Sequence, residues 1–452
     1  MATNGDAEAS ATGANGAVAG VRNLRARQRA LAIGVVRGST GEGSDPLAEL
    51  KELLRTAGVA TAGEMVQVRP EPDPDRYLGR GKLEELRRDI KRAGANLVAC
   101  DDELAPRQER NLEAALDVPV IDRTAIILDI FADHAHSAEG KLQVELAQLE
   151  YNLARMRGLW THLERLGAGR MDGGIGTRGP GESQIETDRR LARDRISALR
   201  RRLVRVERNR GTMRARRESS AVPSVALAGY TNAGKSTLLN ALTGAGVGVG
   251  ERLFQTLDPT TRAYEHDGRR YLVTDTVGFI RKLPHQLVEA FKATLEETRL
   301  ADLILHVVDG SEPESERRAS IAAVDSVLAE IGAGDQPRLL VLNKLDLLGD
   351  EARRELLVGN RDAIGISAAT GEGIDELRGR IERAFEETLS EVELLVPYDE
   401  GGRLSELYEL AGTVERSEGA DGVRVSARIP TALAHRFADF AVEPNGAGST
   451  GA

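Results

Sequence analysis

The chain has 452 residues, 41% of them hydrophobic, with 61 Lys and Arg against 71 Asp and Glu for a formal net charge of −10. That length suits about three domains with real cores, and the acidic balance argues against a general nucleic-acid binder. The single cysteine, Cys100, excludes an internal disulfide and fits a reducing cytosol, while no apolar run approaches the ~18 residues of a membrane span.

Residues 1–27 are rich in Ala and Gly and lack the basic start and apolar stretch of a signal peptide. They read as a disordered tail, as do residues 443–452. Between 28 and 126 strands alternate with helices. Leu31–Val36, Met65–Val68, Asn96–Cys100 and Val118–Ile121 read as strands. Pro46–Ala57, Lys82–Ala93 and Arg107–Leu116 read as amphipathic helices. This alternation predicts a small parallel α/β domain. The stretch Tyr77-Leu78-Gly79-Arg80-Gly81-Lys82 is either a Gly–basic anion loop ahead of a helix or an ordinary Gly turn. Asp101-Asp102-Glu103 reads as a solvated acidic turn rather than a metal site.

Residues 127–218 carry two heptad seams. Leu142, Leu146, Leu149, Leu153, Met156 and Trp160 form one; Ala192, Ile196, Leu199, Leu203 and Val206 form the other. Seven glycines between Gly167 and Glu182 separate them. The pattern predicts an antiparallel helical hairpin with a glycine tip. The second arm holds thirteen arginines and three acids between Asp188 and Arg217. Such a face either pairs with acids on neighbouring elements or lies along RNA phosphates. Aromatic residues are scarce, so structured RNA backbone fits better than stacked single-stranded bases. Arg170 and Arg178 flank the tip.

Residues 222–390 hold the motifs on which the rest depends. Gly229-Tyr230-Thr231-Asn232-Ala233-Gly234-Lys235-Ser236 fits the phosphate-binding pattern G-x-x-x-x-G-K-[ST], between a strand Pro223–Ala228 and a helix that continues through Thr237 to Thr243. Glycines there let backbone N–H groups face a phosphate at a helix N-terminus. Lys235 would reach the β- and γ-phosphates, and the Ser236 hydroxyl would ligate Mg²⁺. Tyr271–Asp275 is a strand ending in an acid that can hold the Mg²⁺ shell; Thr276-Val277-Gly278 follows, and the Gly278 N–H can meet a γ-phosphate. Leu339–Leu342 ends in Asn343-Lys344-Leu345-Asp346, and Ile364–Ile366 leads into Ser367-Ala368-Ala369. Asp346 can accept from guanine N1–H and its 2-amino group, with Asn343 and the Ala368 N–H at N7 and O6. A site that leaves buried polar groups unpaired with adenine would reject it by roughly 10⁴ or more. The substrate and product are therefore GTP and GDP.

A mobile switch belongs between the phosphate loop and Asp275, at Phe254-Gln255-Thr256-Leu257-Asp258-Pro259-Thr260-Thr261. Spacing alone leaves Thr256, Thr260 and Thr261 as Mg²⁺ ligands. Phe279 stands where many GTPases keep a water-orienting glutamine, which predicts slow intrinsic hydrolysis. Asn232 offers an amide oxygen for a K⁺ between phosphates.

These residues, with Asp275-Thr276-Val277-Gly278-Phe279-Ile280-Arg281-Lys282-Leu283-Pro284, the Tyr77–Lys82 stretch and the tip Gly174–Glu182, resemble the HflX family of bacterial GTPases across roughly residues 28–440. The resemblance implies a cytosolic GTPase of the large (50S) ribosomal subunit that splits, rescues or recycles ribosomes under stress. It implies Thr256 as the switch threonine on Mg²⁺, and a glycine tip near the peptidyl-transferase region of ribosomal RNA. Some members also use ATP in the N-terminal domain, but residues 28–126 contain no second phosphate-loop motif. Lys235, Thr256 and Gly278 are then the catalytic candidates, with Ser236 and Thr256 on the metal.

Residues 392–442 read as a small α+β appendage: strands Val392–Val396, Gly412–Val414 and Val423–Ile429, and a helix Leu404–Leu410. A packing or docking module is expected. The expected whole is an α/β protein: a P-loop GTPase domain preceded by a parallel α/β domain with a helical hairpin and followed by the α+β domain. It is expected to be a cytoplasmic monomer. A GTP-regulated RNA-remodelling factor in ribosome biogenesis and a GTP-regulated protein scaffold are the competing readings.

Overall fold

The computed structural model describes residues 28–38, 45–167, 181–220, 222–246, 250, 253–282, 284, 287, 292–386, 389–411 and 414–442. The expected tails at 1–27 and 443–452 and the glycine tip with Arg170 and Arg178 lie outside these residues. The chain divides into two compact units at Ile127/Leu128.

The first unit builds its sheet from β1 (Arg29–Val36), β2 (Ala60–Val68), β3 (Leu97–Cys100) and β4 (Val120–Asp122), in the order β2-β1-β3-β4 and all parallel. Helices α1 (Ala48–Thr56), α2 (Arg80–Ala93) and α3 (Pro106–Leu116) connect them. Leu31, Ile33, Leu86, Val98 and Leu112 meet in its core. Apolar residues at helical spacing on α2 (Leu83, Leu86, Ile90) supply one wall, and Gly94 ends that helix in the left-handed conformation.

The Gly79 N–H donates to Gln67 Oε1 at 2.9 Å, which favours the ordinary Gly turn of the two readings. One sequence expectation changes here. Asp101 and Asp102 do not form a solvated turn. Asp101 receives Arg123 Nη1 at 2.9 Å, and the same guanidinium reaches Glu49 at 2.9 Å. Asp102 accepts the Tyr77 hydroxyl at 2.5 Å. A buried guanidinium needs paired carboxylates, which the linear sequence does not reveal.

Helix α4 (Arg123–His134) was not foreseen, because Ile126, Ile127, Ile130 and Phe131 bury several of its faces and blur the amphipathic period. Helices α5 (Ala138–Gly167) and α6 (Gly181–Ser220) follow. Their seams meet: Leu146, Ile196 and Leu199 are buried together, with Leu142, Leu149, Leu153 and Leu203 against them. Arg195 and Arg200 pair across to Glu145 (2.7 Å) and Glu150 (2.8 Å).

Next comes a six-stranded sheet in the order β10-β9-β8-β5-β7-β6. Its strands are β5 (Ser224–Gly229), β6 (Thr260–His266), β7 (Arg269–Asp275), β8 (Leu303–Asp309), β9 (Arg338–Asn343) and β10 (Ile364–Gly365). All neighbours are parallel except β6 with β7. Helices α7 (Lys235–Thr243), α8 (Lys292–Arg299), α9 (Glu314–Glu330), α10 (Asp350–Gly359) and α11 (Ile374–Glu386) accompany it. Leu227, Leu238, Leu305, Val341, Leu377 and Ile381 meet in the main core. Strand β5 lies between β7 and β8, so successive crossovers leave it on opposite sides. Ligands of open α/β sheets sit at such a reversal, beyond the carboxyl ends of the strands.

The C-terminal part is a three-stranded antiparallel sheet, β11 (Leu389–Val396), β13 (Gly422–Pro430) and β12 (Val414–Gly419), covered by α12 (Gly401–Ala411). The strand expected at Gly412–Val414 is seen over Val414–Gly419, and Gly412 and Thr413 lie outside the described residues. Its residues are mostly exposed at the sheet edge, so no apolar run marked it.

Candidate functional site

The carboxyl ends of β5, β7, β8 and β9 carry Gly229, Asp275, Asp309 and Asn343. After β5 the chain turns back through Asn232 (φ 61°) and Gly234 (φ 92°). A side chain at Gly234 would strike the Asn343 amide, and one at Gly229 would strike the Val307 carbonyl. Glycine is therefore imposed by close approach at both positions, and at Gly234 by torsion as well.

Lys235 is 7% exposed, and its ammonium donates to the Gly229 and Tyr230 carbonyls at 3.0 and 2.9 Å. Burial pulls its pKa down to about 8, opposed by the charge of Asp275. Asp275 is fully buried and its pKa is pushed up by that burial, with Lys235, Ser236 and Thr256 acting against the rise. Its Oδ2 accepts from Ser236 Oγ (2.5 Å) and Thr256 Oγ1 (3.1 Å), and those two hydroxyls are 2.9 Å apart. Thr261 instead faces Thr274 (Oγ1–Oγ1 2.9 Å) within the β6–β7 pair, and Thr260 sits in β6 opposite Asp275. Of the three threonines left open by spacing, Thr256 is the one whose hydroxyl reaches the phosphate-loop serine.

Two hydroxyls and a carboxylate around one point are hard oxygen donors of the kind Mg²⁺ takes. The buried Asp275 Oδ1 and Thr231 Oγ1 have no hydrogen-bond partner among the described residues. An orphaned carboxylate oxygen beside two hydroxyls fits a cation with its water shell.

Gly278 closes this corner. A Cβ there would lie 2.8 Å from Thr231 Cγ2 and 3.1 Å from Lys235 Nζ. Thr276 turns its hydroxyl to the Leu227 carbonyl (2.7 Å), and Val277 is buried. Phe279 pairs its backbone with the phosphate loop, accepting from Thr231 N–H (2.7 Å) and donating to the Gly229 carbonyl (3.1 Å). Its ring is 1% exposed and packs with Leu295, Ile304 and Val324. The position after Gly278 therefore serves the core and cannot orient water. Tyr230 accepts the Arg281 N–H at its hydroxyl (2.8 Å).

At the base end, Asn343 braces three loops. Its Nδ2 donates to the Ala233 carbonyl (2.8 Å) and its Oδ1 accepts the Ala368 N–H (2.9 Å). Ser367 Oγ donates to Asp346 Oδ1 (2.6 Å), which aims an exposed carboxylate. Ala369 is exposed beside it, whereas Leu345 is buried among Val308, Leu342 and Leu356. Lys344 adopts φ 65° and pairs with Asp309 at 2.6 Å. Asp309 was not singled out from sequence, although an acid closing the apolar run Leu303–Val308 is the same signal that marked Asp275.

In the switch stretch, Gln255 is exposed and Thr256 faces the serine, but Phe254, Leu257 and Asp258 turn their side chains onto the protein. Phe254 meets Phe131, and Asp258 meets His136 and Ser137. Any contact these three offer a nucleotide is left to backbone.

A strand, a glycine turn carrying Lys235-Ser236 into a helix, and an Asn343-Lys344-Leu345-Asp346 loop on a parallel sheet define a P-loop GTPase. Family models match in register along the chain: "GTP-binding GTPase N-terminal" at 44–132, "GTP-binding GTPase Middle Region" at 134–217, "50S ribosome-binding GTPase" at 224–344 and "HflX C-terminal domain" at 355–439. GTPase HflX of Lacrimispora saccharolytica is 45% identical over 415 residues, covering 92% of this chain and 96% of the relative. GTPase HflX of Escherichia coli is 45% identical over 390 residues, covering 85% and 90%. A GTP-binding protein from Sulfolobus solfataricus in complex with GDP is 25% identical, with a TM-score of 0.40 over 79% of this chain and 98% of that one. The chain belongs to the HflX family of GTPases.

Proposed function

We propose that this GTPase acts on the large ribosomal subunit, using GTP to set how the helical pair engages ribosomal RNA. The observation that carries the reading is the basic face of α6. Arg190, Arg193, Arg201, Arg202 and Arg205 are exposed on it, in a chain whose net charge is −10. Such a face is suited to phosphate backbone, and the description of the family model over 224–344 names a 50S ribosome-binding GTPase. Two of the helix's arginines serve Glu145 and Glu150, so the structural and RNA-binding readings of this face divide it between them.

Mg²⁺ would be held by Ser236 and Thr256, with Asp275 supporting its waters, and would supply charge neutralisation between the phosphates. Lys235 places a cation at the β- and γ-phosphates. The Gly278 N–H faces the γ-phosphate, and Asp346 reads guanine. Asn232 is exposed in the turn and is the candidate ligand for K⁺. With Phe279 in the core, water positioning falls to backbone, to another residue or to the ribosome, so the intrinsic rate is slow. Splitting, rescue or recycling of ribosomes under stress, by a cytoplasmic monomer, is the physiological reading.

The test is GTP turnover in K⁺ buffer with and without purified large subunits. Strong stimulation supports the proposal. Unchanged turnover with binding intact would make GTP an affinity switch for RNA instead, and binding without steep salt dependence would point to a protein partner.

A further inference from the structure

The five residues Phe254–Asp258 are anchored at one end to α4 and at the other to the start of the helical pair. At one end the Phe254 ring meets Phe131 of α4 edge-on, with centroids 4.7 Å apart and an interplanar angle of 88°. At the other end the Asp258 carboxylate accepts the His136 N–H (3.1 Å), the Ser137 N–H (2.7 Å) and the Ser137 hydroxyl. Ser137 caps α5: its hydroxyl accepts the Gly140 N–H (2.8 Å) and its carbonyl accepts the Lys141 N–H (3.1 Å). Gly140 leaves room for that carboxylate, because a Cβ there would stand 2.5 Å from Asp258 Oδ1. Between the anchors, Thr256 turns its hydroxyl to Ser236 and Asp275.

Charge-assisted bonds at a helix start are strong and directional. Two residues of chain span at most about 7 Å. A displacement of the α5 start by an ångström or two therefore has little slack to vanish into before it reaches Thr256.

We propose that Asp258 is a positioning residue for GTP turnover: its clasp on the first turn of α5 sets where Thr256 stands, and so couples the helical pair to the nucleotide state. The proposal rests on the reading of Thr256 as a Mg²⁺ ligand in the GTP state. Linkage makes the coupling reciprocal. Whatever moves α5 changes affinity for GTP, and GTP changes the freedom of α5 by the same factor. GDP, which lacks the γ-phosphate that draws in the switch, is bound without this contribution.

The test uses the full chain and measures affinity for Mg²⁺ with a non-hydrolysable GTP analogue, affinity for GDP, and thermal melting. Asp258→Ala and Gly140→Ala are each expected to weaken the analogue about tenfold, the size of a lost charge-assisted bond, while GDP affinity stays within about twofold. Gly140→Ala is the sharper arm, because alanine inside a helix ordinarily stabilises it and the loss is predicted by crowding of the clasp itself, the Asp258 carboxylate at 2.5 Å and Ser137 Oγ at 3.1 Å. Ser137→Ala should show the same selectivity and Ser137→Thr, which keeps the hydroxyl, should restore it. Equal weakening of both nucleotides with a lowered melting point, or no change in either, would overturn the proposal. Thr256→Ala is the control. If it does not separate the analogue from GDP, the switch-threonine reading falls and the proposal with it. If it does while Asp258→Ala and Gly140→Ala do not, the proposal alone falls.

Discussion

Replacing Asn343 by alanine removes a side chain that ties the phosphate loop, the Asn343–Asp346 loop and the Ser367–Ala369 loop together. Asn343 is 2% exposed, and its amide makes two bonds of 2.8 and 2.9 Å to backbone groups of Ala233 and Ala368, both themselves buried. A buried backbone group left without its partner costs about 1–3 kcal/mol. Two such groups, with partial relaxation, set the loss at about 2–5 kcal/mol. Asn343→Asp is expected to be no better. It keeps an acceptor for Ala368 but places a second oxygen where a donor stood 2.8 Å from the Ala233 carbonyl. Thermal melting without nucleotide reads the brace directly, and titration with fluorescent GDP reads its effect on the site, where at least tenfold weaker binding is expected. A melting point within a degree of the parent for Asn343→Ala would refute the reasoning, because it would mean the three loops hold their places without this amide.

The other expectations concern charge and packing. Lys235 has a free-site pKa of about 8, and phosphate takes its protonated form. GDP affinity should be full below pH 8 and fall as pH rises through it, by roughly tenfold between pH 7 and 9; Lys235→Met should flatten that profile, and an unchanged slope would sink the assignment. His306 lies inside β8 with its pKa pulled down to about 4 by burial. Between that value and an unfolded 6.5 the unfolded chain binds the extra proton, so stability is full above pH 6.5 and declines toward pH 4, by on the order of 3 kcal/mol. His306→Leu should remove that part of the acid sensitivity in melts from pH 7 to 4.5. Phe279→Gln, designed to restore a water-orienting side chain, should instead destabilise by about 3–5 kcal/mol, since the ring fills a core. No gain in intrinsic GTP turnover is expected from it, and a faster, stable variant would contradict the burial argument.

The phosphate loop was legible in sequence because its constraints are local. Glycines at Gly229 and Gly234, a lysine and a serine at fixed offsets, and an apolar strand before them dictate one turn. The heptad seams of α5 and α6 were legible for the same reason, since period alone aligns Leu146, Ile196 and Leu199 on facing stripes. Helix α4 and the edge strand β12 were not. One is apolar on several sides and the other mostly exposed, and neither carries a period.

What the linear order could not contain is which distant atoms meet. Thr256, Thr260 and Thr261 are equivalent by spacing, and only the β6–β7 pairing, which engages Thr261 with Thr274, leaves Thr256 to face Ser236. The acidic pair Asp101–Asp102 read as solvated until Arg123 and Tyr77 arrived from positions more than twenty residues away. Asp258 looked like part of a nucleotide loop, yet its partners lie 121 and 122 residues earlier. A motif is written by the torsions and offsets of neighbours; a hydrogen-bond partner is assigned by packing, which brings the α5 start to this carboxylate.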